Sequence, residues 1–145
     1  MIPDFVDGVL PAGEHLATWD EITTRFGTTS HRRHLLDGLH GACSSLASAG
    51  CVLLWLNGSF VTDKPWPNDF DACWDPAGVD LDAIDPVLLD LAHPRTAQKE
   101  RYGGELFPNV EELASGSLFV DFFQTDLNTG LPKGIIVLDL RSFLT

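Results

Sequence analysis

Two aspartates separated by a single residue, Asp69 and Asp71, form the pattern in this sequence that most directly indicates chemistry. Residues 69–74 alternate in polarity, which predicts a strand, and residues two apart on a strand point to the same face. Adjacent carboxylates repel each other and raise each other's pKa unless a cation lies between them. Mg²⁺ prefers oxygen ligands and is commonly bound by one or two carboxylates together with substrate phosphates. The pair therefore predicts a site for Mg²⁺ or Mn²⁺, although an exposed polar strand face has the same pattern.

A Gly-Ser pair, Gly58-Ser59, follows directly after the apolar segment 51–57, which we predict to be a buried strand. Glycine allows the backbone to approach a ligand closely. A serine hydroxyl and the neighbouring backbone N–H groups can hold phosphate oxygens. The pair indicates a phosphate-binding turn ahead of the two aspartates, but an ordinary turn at a strand end has the same sequence.

A third carboxylate, Asp121, stands inside the apolar segment 117–123 (Ser-Leu-Phe-Val-Asp-Phe-Phe), which we predict to be another strand. A carboxylate in an apolar strand is costly to bury unless it is paired or bound to a metal. We therefore expect this strand to bring Asp121 next to Asp69 and Asp71 and to complete a metal-binding cluster. A solvent-facing position of Asp121 is the alternative, so this residue decides the interpretation.

Several basic residues are candidates for binding phosphate. Lys64 lies in the loop 61–68, and Lys133 lies in the turn before the last predicted strand. A further cluster places three of the nine basic residues of the chain within seven positions, at Arg95, Lys99 and Arg101. Each of these side chains is also compatible with an ordinary solvated surface position.

The elements that must position these residues follow from periodicity and from signals at their ends. Thr18 and Glu21 form a capping box, and Gly27 and Gly50 are natural ends for two helices. The predicted helices span residues 19–26, 31–49 and 84–92, and the predicted strands span residues 51–57, 69–74, 117–123 and 135–140. Residues 1–17 are predicted to be a loop-like N-terminal arm. These elements predict a single α/β or α+β domain over residues 1–145, a small mixed sheet of about four strands with helices packed on it.

Composition narrows the classes of partner. The formal net charge is −12, with 9 Lys and Arg against 21 Asp and Glu, whereas proteins that hold long nucleic acids need a basic surface. Duplex DNA is therefore not expected as a partner. The longest apolar run, Val52 to Leu56, is far too short to cross a bilayer, and no signal peptide is recognisable, so we expect no membrane partner and a cytoplasmic location. The three cysteines match neither a zinc site nor a disulfide framework and are predicted to be small buried side chains.

The spacing of the candidate residues resembles that of a known superfamily. Gly58-Ser59, nine further residues, Asp69-Phe70-Asp71 and a later aspartate together resemble the polymerase-β-type nucleotidyltransferases. The local sequence looks like the minimal members of that superfamily, which include toxin–antitoxin nucleotidyltransferases and small antibiotic-modifying enzymes. The segments around Asp121 and Lys133 resemble an uncharacterised branch of the group.

The resemblance implies a nucleotidyltransferase-like fold and Mg²⁺-dependent transfer of NMP from an NTP to a hydroxyl of tRNA, protein or a small molecule. It implies an ATP-binding type of site in which Gly58 and Ser59 contact the terminal phosphates, assisted by Lys64 and Lys133. Asp69 and Asp71 would ligate Mg²⁺, and Asp121 would ligate a second metal and help to deprotonate the attacking hydroxyl, so these three residues would carry the catalysis. An antitoxin is then an expected partner. Two alternatives stay open: a catalytically inactive module with this fold that binds or regulates, and an acidic structural domain in which the motif is incidental.

Overall fold

The computed structural model describes residues 2–92, 95–110, 118–122, 124 and 132–144. The strands are β1 Gly13–Ala17, β2 Leu53–Asn57, β3 Phe70–Trp74, β4 Gly104–Pro108 and β5 Gly134–Asp139. The helices are α1 Trp19–Phe26, α2 Ser30–Ser48, α3 Thr96–Tyr102 and α4 Phe119–Phe122, with short 3₁₀ segments at Ser59–Val61, Pro86–Leu89 and Leu140–Leu144. None of the described helices combines the length and the apolar character that crossing a bilayer requires.

The strands form one mixed sheet in the order β1-β5-β2-β3-β4. The central strand β2 runs antiparallel to both of its neighbours, whereas β1 pairs with β5 and β4 pairs with β3 in parallel. The predicted mixed sheet with packed helices is confirmed, but the sheet has five strands where the sequence predicts about four.

Local signals account for the first two helices. Thr18 Oγ1 accepts a hydrogen bond from the Glu21 N–H at 3.1 Å, and a Glu21 carboxylate oxygen accepts one from the Thr18 N–H at 3.1 Å, so the predicted capping box is formed. The helix that it begins, α1, has the predicted bounds. The side chain of Thr29 caps α2 by accepting from the Arg32 N–H. The predicted helix at 31–49 is therefore confirmed to within a residue at each end.

The two faces of the sheet are covered differently. One face packs against α1 and α2, and the apolar stripe of α2, formed by Leu35, Leu39, Cys43 and Leu46, is buried there. Each of these leucines contributes roughly 1.5–3 kcal/mol by its burial. The opposite face carries a smaller apolar cluster that includes Trp55, Cys73 and Ile135 and is covered by Val120 of α4.

Three predictions about elements are wrong. Residues 13–17 form the edge strand β1, so the segment 1–17 is not simply a loop-like arm. Residues 13–17 lack the apolar run that predicts a buried strand. An edge strand needs no such run, because it has only one hydrogen-bonded neighbour and keeps much of its surface in solvent. The predicted helix at 84–92 is reduced to the 3₁₀ turn Pro86–Leu89. The sequence also allows a helical turn near residues 110–114, but most of these residues lie outside the described part of the chain.

The third wrong prediction concerns the strand at 117–123. Residues 119–122 form the short helix α4. Asn109 Oδ1 accepts from the Val120 N–H at 3.1 Å, and the ring of Phe119 stacks on Phe107 with the centroids 4.8 Å apart. The place beside β3 is taken instead by β4, which lies in a stretch for which the sequence predicts no strand.

The basic patch at residues 31–34 contains a structural arginine. Arginines at a helix N-terminus are disfavoured by the helix dipole, so the sequence suggests a bound anion or an acidic partner there. Arg32 is instead 2% exposed and donates to the carbonyl oxygens of Phe60 at 2.7 Å, Thr62 at 2.9 Å and Lys64 at 3.0 Å. Its guanidinium therefore fixes the loop that leads from the Gly-Ser turn to the aspartates.

The cysteines are confirmed as small buried side chains. All three thiols are free and buried. Burial raises the pKa of Cys51 to about 11 and that of Cys73 to about 12, and it raises the pKa of Cys43 further. The thiolate, the reactive form of cysteine, is therefore suppressed at all three positions near neutral pH.

Candidate functional site

Three carboxylates converge at one end of the central sheet. Asp69 immediately precedes β3, Asp71 lies within it, and Glu105 lies in β4 directly across from Asp71 in the parallel pair. One oxygen from each of the three carboxylates lies within 4.8 Å of the others, and all three residues are half-buried. Two ligands of one Mg²⁺ are at most about 4.2 Å apart, twice a bond of about 2.1 Å, so small side-chain rotations would bring the three within coordination distance.

Glu105 is the member of the cluster that the sequence analysis missed. The alternation in Gly-Glu-Leu-Phe-Pro at 104–108 is a weak strand signal, and the basic residues just before it favour a surface loop. With β4 next to β3, Glu105 holds the position that the prediction gave to Asp121. The backbone of Asp121 lies in α4, not in a strand, and its side chain is outside the described part of the structure. Its membership of the cluster stays a prediction.

Two cations contact Glu105. Arg95 Nε lies 2.7 Å from one carboxylate oxygen, and Lys99 Nζ lies 3.0 Å from the other. The third residue of the predicted basic cluster points elsewhere, because Arg101 pairs with Asp85 at 2.6 Å. The structure thus brings two of the three clustered basic residues to the carboxylates.

The pKa values of the carboxylates reflect crowding. Burial first, and then the charges of Asp69 and Glu105, raise the pKa of Asp71 to about 7. Burial and the charge of Glu105 likewise raise the pKa of Asp69. Burial also acts on Glu105, but hydrogen bonds from Lys99 and Arg95 outweigh it and hold its pKa below the usual range. The cluster therefore carries more negative charge than its protein neighbours neutralise, a condition that favours binding a cation.

The predicted phosphate-binding lysines lie within electrostatic reach of these carboxylates. The charge of Lys133 partly offsets the raised pKa of Asp71, and the charge of Lys64 does so for Asp69. Lys64 is exposed and Lys133 is half-buried. Both lysines are therefore near enough to act electrostatically on the carboxylates, and their predicted contact with phosphates stays a prediction.

The glycine of the Gly-Ser pair packs directly against Asp71. Gly58 directly follows β2 with φ of 80° and ψ of −165°, a conformation that side chains disfavour. A Cβ atom placed on Gly58 would lie 2.3 Å from Asp71 Oδ2. Ser59 follows, half-buried, as the first residue of the 3₁₀ turn. The turn thus brings backbone next to Asp71, and its predicted contact with phosphates stays a prediction.

Asn57 is a second residue that the sequence analysis did not single out. It is fully buried and lies opposite Asp71 in the β2–β3 pair, so their side chains share one face of the sheet. Its Nδ2 donates to the Trp55 carbonyl at 3.4 Å, whereas its Oδ1 has no hydrogen-bond partner among the described residues. A buried acceptor left unpaired costs about 1–3 kcal/mol. The unpaired oxygen of Asn57 lies on the same face of the sheet as Asp71, and oxygen donors of this kind fit a hard cation such as Mg²⁺.

The larger cavities lie elsewhere. One of about 710 Å³ is lined by Ala17, Trp19, His40, Asp139 and Phe143, and one of about 720 Å³ lies beside Tyr102 and Asp85. Neither is lined by a residue of the carboxylate cluster. The first lies at the C-terminal ends of β1 and β5, opposite the end of the sheet that carries the cluster.

Replacing Gly58 with alanine should disrupt the site more than the fold. We expect Gly58→Ala to lower the free energy of unfolding by about 1–3 kcal/mol through backbone strain and to weaken Mg²⁺ binding by displacing Asp71. Gly78→Ala is the matched control, because Gly78 has a similar φ of 75° but nothing within 4 Å of the place that a Cβ atom would occupy. Urea denaturation and Mg²⁺ titration check both variants. Equal Mg²⁺ affinity in the two variants would contradict a role for the close approach.

One protein family matches the chain. Its model, described as a family of unknown function (DUF6932), matches residues 3–139, a range that contains every residue of the carboxylate cluster. No curated protein and no solved structure matches the chain. These comparisons assign no chemistry.

Proposed function

From the geometry of the site we propose that this chain, which belongs to the DUF6932 family of unknown function, is an Mg²⁺-dependent nucleotidyltransferase. The observation that carries the proposal is the convergence of Asp69, Asp71 and Glu105 beside a glycine turn that contacts Asp71. Mn²⁺ would serve in place of Mg²⁺. A cytoplasmic location, where NTPs are available, belongs to the same proposal.

Each residue of the site has a role in this proposal. Asp69, Asp71 and Glu105 hold the cation. The Gly58 backbone and the Ser59 hydroxyl orient the terminal phosphates of the NTP. When bound, the cation supplies charge neutralisation at the reacting phosphate and the leaving group. The remaining contribution is positioning, which requires little movement because Asp71 and Glu105 lie on strands and Asp69 directly precedes one.

The reaction is an in-line displacement at the α-phosphorus of the NTP. An oxygen of the acceptor hydroxyl forms a bond to that phosphorus, and the bond to the oxygen that bridges to the β-phosphate breaks. Pyrophosphate leaves, and the hydroxyl proton passes to a carboxylate of the cluster. Lys64 and Lys133 stabilise the negative charge of the departing phosphates.

The acceptor is proposed only as a class. A hydroxyl of tRNA, of a protein side chain or of a small molecule would each suit the chemistry, and the net charge of −12 favours an acceptor with a small footprint over a long RNA. An antitoxin partner would accompany a toxin role, which rests on the family resemblance alone.

One observation favours the alternative of an inactive binding or regulatory module. Glu105 is already paired with Arg95 and Lys99, so part of the negative charge of the cluster is neutralised without a metal ion. In an inactive module these two cations would replace the metal. In an active enzyme they would turn toward the nucleotide phosphates as Mg²⁺ binds.

The test is transfer of label from α-labelled NTPs. The purified chain, Mg²⁺ and a cell lysate are incubated and then separated into protein, tRNA and small molecules. We expect one fraction to become labelled with the wild type and the labelling rate to fall about 10³-fold or more in Asp71→Asn, because a cation ligand is lost. Asp82→Asn, which removes the same charge from an exposed position in the segment after β3, is the matched control.

The outcomes separate the alternatives. Binding of MgNTP by calorimetry without labelling of any fraction would support the inactive module. A wild type that binds no NTP in the presence of Mg²⁺ or Mn²⁺ would overturn both the active enzyme and the inactive module. The remaining interpretation would be an acidic structural domain.

A further inference from the structure

An exposed tryptophan stands in the loop between the glycine turn and the aspartates. Trp66 is 61% exposed. One side of its indole packs on the imidazole of His31, with the ring centroids 5.3 Å apart and the planes 34° from parallel. A single exposed apolar side chain is ordinary on a protein surface. What distinguishes Trp66 is that its neighbours hold the backbone on both sides of it.

The loop on both sides of Trp66 is held by side chains of α2 and its cap. Arg32 donates to the Lys64 carbonyl at 3.0 Å, Thr29 Oγ1 donates to the Pro65 carbonyl at 3.4 Å, and His31 Nε2 donates to the Pro67 carbonyl at 2.5 Å. Prolines precede and follow the tryptophan and restrict its backbone further. The indole is therefore presented to solvent by a rigid backbone, which reduces the conformational entropy lost when a ligand stacks on it.

Trp66 lies close to the carboxylate cluster along the chain. Two residues, Pro67 and Asn68, separate Trp66 from Asp69, so the Cα atoms of Trp66 and Asp69 are at most about 11 Å apart, three steps of about 3.8 Å. This span is comparable to the length of a nucleotide. Lys64, whose charge acts on Asp69, lies in the same loop. A nucleotide with its phosphates at the cluster is therefore long enough for its base to reach the indole.

We propose that Trp66, supported by His31, is the stacking platform for the nucleobase of the NTP. This inference rests on the proposed function and adds the subsite that binds the base. Stacking on an aromatic face is tolerant of base identity, because every base has a π-face. The platform therefore predicts a preference for nucleotides over inorganic polyphosphate and weak discrimination among the four NTPs.

The test compares two ligands that share phosphates but differ in the base. Calorimetry at a fixed Mg²⁺ concentration measures the affinity for each NTP and for tripolyphosphate. We expect Trp66→Ala to weaken NTP binding about 5- to 150-fold and to leave tripolyphosphate binding unchanged. Trp66→Phe should retain most of the affinity, because it keeps an aromatic face. Circular dichroism confirms folding of each variant.

Leu81→Ala is the matched control. Leu81 is 56% exposed, close to the exposure of Trp66, and lies in the segment that follows the far end of β3, where the Asp80 N–H donates to the Ala49 carbonyl. This control should bind both ligands as the wild type does.

Each outcome bears on the proposal. Unchanged NTP affinity in Trp66→Ala would overturn the stacking role while leaving the proposed function standing. The same result is expected if the indole stacks on a base of the acceptor and not on the base of the NTP. Equal weakening of NTP and tripolyphosphate would overturn it too, since the loop and not the base contact would be responsible. Failure of the wild type to bind either ligand would overturn the proposed function together with this inference.

Discussion

Replacing Glu105 with glutamine should abolish Mg²⁺-dependent nucleotidyl transfer, lowering the rate about 10³-fold or more, because the cluster would lose one of its three anionic ligands. The amide keeps the shape and an acceptor oxygen of the carboxylate, so the loss would come from charge. The measurements are the labelling rate and the Mg²⁺ affinity in the presence of NTP. Full activity of Glu105→Gln would contradict the assignment of β4 as the strand of the third ligand.

Two comparison variants sharpen this result. Lys99→Met breaks one ion pair of Glu105 but keeps every carboxylate, and since the lysine side chain is 40% exposed the pair contributes only about 0–1 kcal/mol to stability. Asp121→Asn tests the ligand that the sequence predicts. Loss of transfer in Glu105→Gln alone would assign the third position to β4. Loss in both variants would indicate that Asp121 also reaches the site.

In the absence of divalent cations the protein should become less stable as pH rises from 5.5 to 8. The pKa of Asp71 is raised to about 7 in the folded chain, above about 3.9 in the unfolded chain. Between these values the folded state binds more protons, so the free energy of unfolding falls as pH rises. At about 1.4 kcal/mol for each pH unit, the loss between pH 5.5 and the folded pKa of about 7 is about 2 kcal/mol. The raised pKa of Asp69 acts in the same direction.

Groups with the opposite shift act outside this window. The carboxyls of Glu105, Asp85 and Asp139 have lowered pKa values, so the stability they contribute is lost only as pH falls through the acid range. Urea denaturation in EDTA at several pH values measures the effect. Asp71→Asn should flatten the profile, and Mg²⁺ should restore stability at pH 8 by binding the folded state. A wild-type stability that rises across the window would contradict the buried, crowded position of Asp71.

Much of the fold can be predicted from the sequence where the signal is local. The capping box of Thr18 and Glu21, the apolar stripe of α2 and the continuous apolar run of β2 each lie within a few residues. They depend on hydrogen bonds and periodicity that the chain makes with itself nearby. The positive-φ turn at Gly58 and the two aspartates that follow it are likewise local signals in the sequence. Sequence analysis therefore found two carboxylates and the turn beside them.

Pairing between distant strands decided the rest. Nothing near Glu105 indicates that it lies across from Asp71, because that contact depends on β4 taking the edge position beside β3. The apolar segment around Asp121 has the composition of a strand, yet Asn109 caps it as a short helix that covers one face of the sheet. Likewise, Arg32 looked like part of an anion-binding patch until the carbonyl groups of a distant loop were seen to surround it. Local patterns in the sequence predict Asp69, Asp71 and the Gly58 turn as candidates for binding a cation and phosphates. Only the folded sheet places Glu105 beside them, because neighbours across a sheet are chosen by packing and not by position along the chain.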